Sequence, residues 1–174
     1  ESIPIFIDKH LADNWQDAES IFNSANRLKI PLMAGSSLPT TWRRPPADVA
    51  RGASLSELVA ITYHTTDAYG FHALEFIQAL VEQRKNGETG IAKVQSVLGQ
   101  DVWTAIDSKQ VPKDLLNAAW ARLTVPNDRN QPNRALVKEP RLFTIDYIDG
   151  LRVYLLELNG AVSEWSAAWR YHDA

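Results

Sequence analysis

The chain has 174 residues and a mass of 19.5 kDa, with 45% hydrophobic residues, a net charge of -3 and no cysteine. This length fits one domain or pieces of two; mild acidity leaves no basic footprint for nucleic acid. The lack of thiols excludes cysteine catalysis, disulfides and cysteine-ligated metals. No run approaches the ~18 apolar residues of a membrane span and no signal-peptide pattern opens the sequence, so neither nucleic acid nor a membrane is an expected partner.

Ile3, Pro4, Ile5, Phe6 and Ile7 form a short apolar run suited to a strand buried on both faces. The period then changes: Trp15, Ala18, Phe22, Ala25 and Leu28 recur at helical spacing, with Asp13 and Gln16 as the expected capping box. Pro31 to Ala34 is a second apolar run, closed by Gly35-Ser36-Ser37. Two such strands joined by a helix make a right-handed crossover, so they are parallel and Lys9 and Ser36 share one rim. In open α/β sheets ligands bind at that rim. Parallel strands of this kind need cover on both faces, so the sequence predicts that the chain is the carboxyl-terminal portion of a longer polypeptide or a piece docked on its other half.

Residues 37–53 turn to Pro39, Pro45, Pro46 and Gly52, with Trp42, Arg43 and Arg44 among them. This reads as an ordered connector, and its Trp42 and arginines serve either as linker packing with solvated charge or as a substrate-side loop. Leu55 to Tyr63 reads as a strand feeding into TTDAYGFHALE and a helix with Ala73, Phe76, Ile77, Leu80 and Val81 on its apolar side and Glu75, Gln78 and Glu82 facing away. His72 falls in the first turn, where the helix dipole favours a neutral, proton-accepting ring. That is what a general base for an alcohol needs.

KNGETG at 85–90 is a turn, and Ile91 to Leu98 a strand, with 91–94 also compatible with helix. Pro112 to Leu123 reads as a helix and Thr124 to Pro132 as a loop. Phe143, Ile145, Tyr147 and Leu151, Val153, Leu155 flank Asp149-Gly150, a two-residue hairpin signal, and Asn159-Gly160 predicts a second hairpin into a strand over 161–171. The middle strand is apolar on both sides, which predicts helices on one face and a second copy's sheet on the other. The four histidines are too scattered to read as a metal site.

Two stretches carry a resemblance. PIFIDKHLADNWQDAESIFNSANRLKIPLMAGS resembles the last βαβ unit of the nucleotide-binding half in the Gfo/Idh/MocA family of NAD(P)-dependent sugar and polyol oxidoreductases. In that family a Glu-Lys-Pro tripeptide ends a strand, then come a helix and a short strand closed by glycine. Lys9 matches the lysine, Asp8 stands for Glu and His10 for Pro. The second stretch is similar to the family's Asp-x-Gly-x-His-x-x-Asp at a helix start. Gly70 and His72 match and Glu75 replaces the final acid, while the first acid's position is Ala68 and Asp67 comes one residue early.

The resemblance implies an α/β and α+β chain: residues 1–37 end a Rossmann-like nucleotide-binding domain, 38–54 link, and 55–174 form an α+β domain with a mostly antiparallel sheet for substrate binding and oligomerisation. It implies hydride transfer between a sugar or polyol alcohol and NAD or NADP. His72 would take the hydroxyl proton, Lys9 would hold the ribose and the reacting oxygen with Asp8 beside it at the cofactor, and Arg43, Trp42 and Asp67 would face the substrate. No G-x-G-x-x-G occurs here, so the cofactor is expected mainly on an upstream segment, and the expected partners are that amino-terminal half and a second copy of the chain. The alternative is a catalytically inactive binding or regulatory protein that retains the fold.

Overall fold

A computed structural model describes residues 3–124 and 132–172. Ile5–Ile7 (β1) and Leu32–Ala34 (β2) pair in parallel, Phe6 opposite Met33, and helix Trp15–Arg27 (α1) joins them. The cap of α1 is Asn14, one residue later than the sequence predicts. Its side chain accepts the Asp17 amide at 2.9 Å and donates to the Asp17 carboxylate at 2.8 Å. Asp17, not Gln16, is the acid that pairs with the cap, through the Asn14 side-chain amide and not through the backbone N–H of a capping box.

Within the described residues the expected cover of this unit is missing. Of α1 only Ala25 is buried, and Trp15 (73% exposed), Phe6 (57%) and Met33 (68%) present their side chains to solvent. Ile5, Phe22 and Leu28 are exposed as well, so the predicted apolar stripe of α1 is mostly uncovered.

The rest is one five-stranded sheet with helices on both faces. Its strands are Leu55–Thr62 (β3), Ile91–Leu98 (β4), Arg141–Tyr147 (β5), Arg152–Glu157 (β6) and Ser166–Tyr171 (β7), in the order β4-β5-β6-β3-β7. Only the β6–β3 junction is parallel; the other three are antiparallel. Helix Phe71–Val81 (α2) packs Ala73, Ile77, Leu80 and Val81 on one face against Leu58, Ala60, Val153 and Leu155. Gln100–Asp107 (α3) and Lys113–Trp120 (α4) cover the other with Val102, Leu116, Ala119 and Trp120 against Val59, Ile61 and Leu156. The central strands are therefore covered on both sides by this chain's own helices, and the second face needs no sheet from another copy. No helix among the described residues is long and apolar enough to cross a membrane.

The two Gly-containing turns part company. Asp149-Gly150 does close the β5–β6 hairpin, as a three-residue loop: the Tyr147 amide donates to Leu151 O at 2.9 Å and Gly150 takes the left-handed position at φ 93°. Asn159-Gly160 makes no hairpin. From it the chain crosses β3 to pair β7 antiparallel on β3's far side, and β7 begins only at Ser166. Of the loop read over 124–132, residues 125–131 lie outside the described residues. One buried cation pins the layers: Arg84 bonds Asp149 at 2.8 Å, Val81 O at 2.6 Å and Thr89 at 2.9 Å, with its guanidinium 4.8 Å from the Tyr147 ring centroid.

The two turn glycines give a paired test of packing. Both have positive φ, but a Cβ on Gly150 meets nothing within 4 Å, whereas one on Gly160 (φ 97°) would stand 2.2 Å from the Leu136 carbonyl oxygen. Gly150→Ala should cost about 1–2 kcal/mol in urea unfolding, the strain of the left-handed conformation alone. Gly160→Ala should cost about 2 kcal/mol more because backbone has to move; equal costs would refute the close approach.

Candidate functional site

Parallel pairing aims strand ends in one direction, and four of them converge here. The ends of β1 and β2 deliver Asp8-Lys9-His10 and Gly35-Ser36-Ser37, and the ends of β3 and β6 deliver residues 63–66 and Glu157. Between β3 and α2 the residues Thr66–Gly70 wind as a π-helical turn that runs directly into α2. His72 thus follows a turn of helix and does not head one, so the dipole argument made from its sequence position fails.

Ser36 is the knot. Its hydroxyl lies 2.6 Å from His72 Nδ1 and accepts the Leu38 amide at 3.0 Å, while its own amide donates to Glu75 Oε2 at 3.1 Å. Next to it the Ser37 amide donates to Asp8 Oδ1 at 2.8 Å. Glu75 does not simply face away from the core: it ties α2 to the end of β2, and its Oε2 would stand 2.8 Å from any Cβ at Gly35. A glycine there lets the carboxylate approach the backbone.

Lys9 and Asp8 lie near enough for their charges to act on the His72 ring. The imidazole pKa is lowered from its ordinary value, first by burial and then by the charge of Lys9; Asp8 and Glu75 pull the other way and His10 adds to the lowering. The ring is consequently neutral at pH 7. Nδ1 is taken by Ser36, which leaves Nε2 for a ligand. Lys9 donates one N–H to Asp8 O at 2.8 Å and keeps two. Asp8's carboxyl is held below the usual carboxylate range chiefly by the Ser37 amide, so its side chain already has structural work at the start of the connector.

The substrate-side residues divide. Asp67 lies on the π-helical turn, close enough to Glu157 to raise its pKa. Glu157 is 3% exposed and accepts the Thr66 hydroxyl at 2.7 Å; burial is the main reason that its carboxyl is pushed up, with Thr66 and Arg141 opposing. Arg43 is ion-paired with Asp48, and Trp42 is 96% exposed; both line a groove of about 620 Å³ along β7, away from Lys9. An aromatic chain connects the two places: Tyr69 meets the His72 ring edge-on at 5.9 Å and stacks on Trp165 at 5.7 Å, and Trp165 touches Phe76. His64 stacks on Tyr69 at 4.7 Å. A second cavity, about 680 Å³, opens by α3 and α4 and holds none of these residues.

No family model, curated protein or solved structure matches the chain. The site therefore stands on its geometry.

The sequence places Ser36 on the rim without a role and Glu75 on the face of α2 turned away from the core. The available signal was position: a hydroxyl directly after the glycine that ends a parallel strand, and an acid one turn beyond a histidine. Glu75→Ala removes the acceptor of the Ser36 amide, and a hydrogen bond to a charged group contributes about 1.5–3 kcal/mol. Hydrogen exchange at Ser36 should then accelerate at least about tenfold, while amides in β5 and β6 keep their protection. Unchanged exchange at Ser36 would show that Glu75 does not hold it.

Proposed function

We propose that the chain is part of an NAD(P)-dependent sugar or polyol dehydrogenase of the Gfo/Idh/MocA kind, with His72 as acid/base and Lys9 at the junction of cofactor and substrate. The observation that carries this reading is the shared rim: an ammonium from the end of a parallel strand whose charge reaches an imidazole oriented through Nδ1.

The proton chemistry follows from the partners of Ser36. In the tautomer protonated on Nδ1, the Ser36 oxygen accepts from both that N–H and the Leu38 amide, using its two lone pairs. Nε2 is then a bare acceptor that takes the proton from a substrate hydroxyl. The two unused Lys9 protons stabilise negative charge growing on that oxygen. The nicotinamide, when bound, supplies the hydride acceptor. Lys9 and Asp8 are the residues here that would hold its ribose end.

A reason also emerges for the displaced acid. A π-helical turn takes one more residue per hydrogen-bonded ring than an α-helix. Asp67, five residues before His72, is thereby carried toward the place that a residue four before would occupy in a regular helix. Asp67 on this reading orients the substrate, and Ala68 is no loss.

The pyrophosphate cradle is absent from this sequence, and the uncovered apolar surface of β1, α1 and β2 is where the domain carrying it would pack. On this reading β1-α1-β2 is the last crossover of a dinucleotide-binding sheet, and burying side chains such as Phe6 and Trp15 would stabilise the union by about 1.5–3 kcal/mol each.

Two measurements test the proposal. The full-length protein should bind NADH or NADPH in a fluorescence titration; binding of neither would favour the non-catalytic binding or regulatory protein. For alcohol oxidation, kcat/KM should rise with pH through a value below 6.5 and level off by neutrality, because a depressed histidine pKa keeps the base available above it. His72→Gln should lower kcat by about 100-fold or more; a variant with full activity would remove His72 from the chemistry.

A further inference from the structure

The groove along β7 wraps an edge strand, so its walls come from different layers. The connector and α2 supply one side through Arg44 and Phe76, and α4 and the turn after it supply the other through Ala118 and Arg122. Trp165 and Trp169 pack toward the α2 side and Ala168 toward the α4 side.

Its polar groups are unevenly satisfied. Arg43 is spent on Asp48 and Pro39 O, and Glu164, the acid in the lining, accepts the Thr124 amide at 2.7 Å. Arg44 and Arg122 have no carboxylate or other hydrogen-bond partner among the described residues, which leaves two free guanidinium groups facing one cavity. Ser166, in the same wall, is 6% exposed, and its Oγ is the one buried side-chain polar atom among the described residues with no partner. Buried polar atoms are nearly always paired, and the exceptions call for an explanation.

Guanidinium forks match carboxylate and phosphate oxygens, and indole faces accept the C–H face of a sugar ring. An aromatic link from the groove to the rim runs through Trp165 and Tyr69 to His72. We infer that this groove receives a sugar derivative carrying an anionic group, a carboxylate or a phosphate, which Arg44 and Arg122 hold while Trp165 supports the ring. The inference rests on the dehydrogenase reading only in making this compound the substrate whose hydroxyl reaches His72.

Isothermal titration calorimetry on the full-length protein, with and without NAD, tests it with three probes: D-glucuronate, D-glucose 6-phosphate and uncharged D-glucose. At least one charged sugar should bind tenfold or more tightly than glucose, and the one that does identifies the anion. The Arg44→Gln, Arg122→Gln double variant should erase the preference while its far-UV spectrum and melting temperature stay those of the parent. Glucose binding as tightly as both charged sugars, neither charged sugar binding, or a preference that survives in the double variant would each overturn the assignment. The two readings fail separately: preferential binding without NAD(P) reduction sinks the dehydrogenase and spares the groove, whereas turnover of uncharged sugars alone does the reverse.

Discussion

Ser36 joins two parts of the chain that local sequence would leave independent. Its oxygen meets a histidine 36 residues away and its amide meets a carboxylate 39 residues away. Gly35 provides the room for the Glu75 carboxylate at this approach, where a Cβ would stand 2.8 Å from its Oε2. A buried serine with these partners unmade would cost about 1–3 kcal/mol per orphaned group. The junction therefore fixes β1-α1-β2 on the α+β body and sets the direction of the imidazole at once. Fold and candidate chemistry meet in the same two bonds.

The two sheets face opposite situations. In the five-stranded sheet every apolar face of the central strands finds a helix: β3 and β6 are buried on both sides, and their parallel pairing sends Thr62 and Glu157 to the same end. The two-stranded sheet has a helix and little else. Its bare aromatic and aliphatic side chains, next to the strand ends that carry Lys9 and Ser36, are what the proposed nucleotide-binding half would cover. A protein that exposes such residues as a contiguous patch commonly does so for a partner.

How far the sequence revealed this depended on whether a signal was local. The change of hydrophobic period at Trp15 and again at Leu32 placed the βαβ unit within a residue or two, and Asp149-Gly150 placed the β5–β6 hairpin. Helix α3 was missed because it follows β4 after the single residue Gly99, whose φ of 58° turns the chain with no stretch of loop composition to announce it. Asn159-Gly160 showed the opposite failure: turn chemistry specifies a reversal and says nothing about which strand the returning segment joins, and here it passes its neighbour. The π-helical turn before α2 is likewise invisible to spacing, since Thr66–Gly70 reads as an ordinary helix approach. The site's pair Lys9 and His72 came from local strings, but Ser36 and Glu75 acquire a role only through a tertiary contact.

The end of β1 and the start of α2 share one electrostatic environment. The direct measurement is an NMR pH titration of the His72 ring in the intact protein and in a Lys9→Met variant. The parent pKa should lie below 6.5 and rise when the Lys9 charge is removed, since that ammonium is among the causes of the depression. A parent value at or above 6.5 that ignores the loss of Lys9 would contradict it.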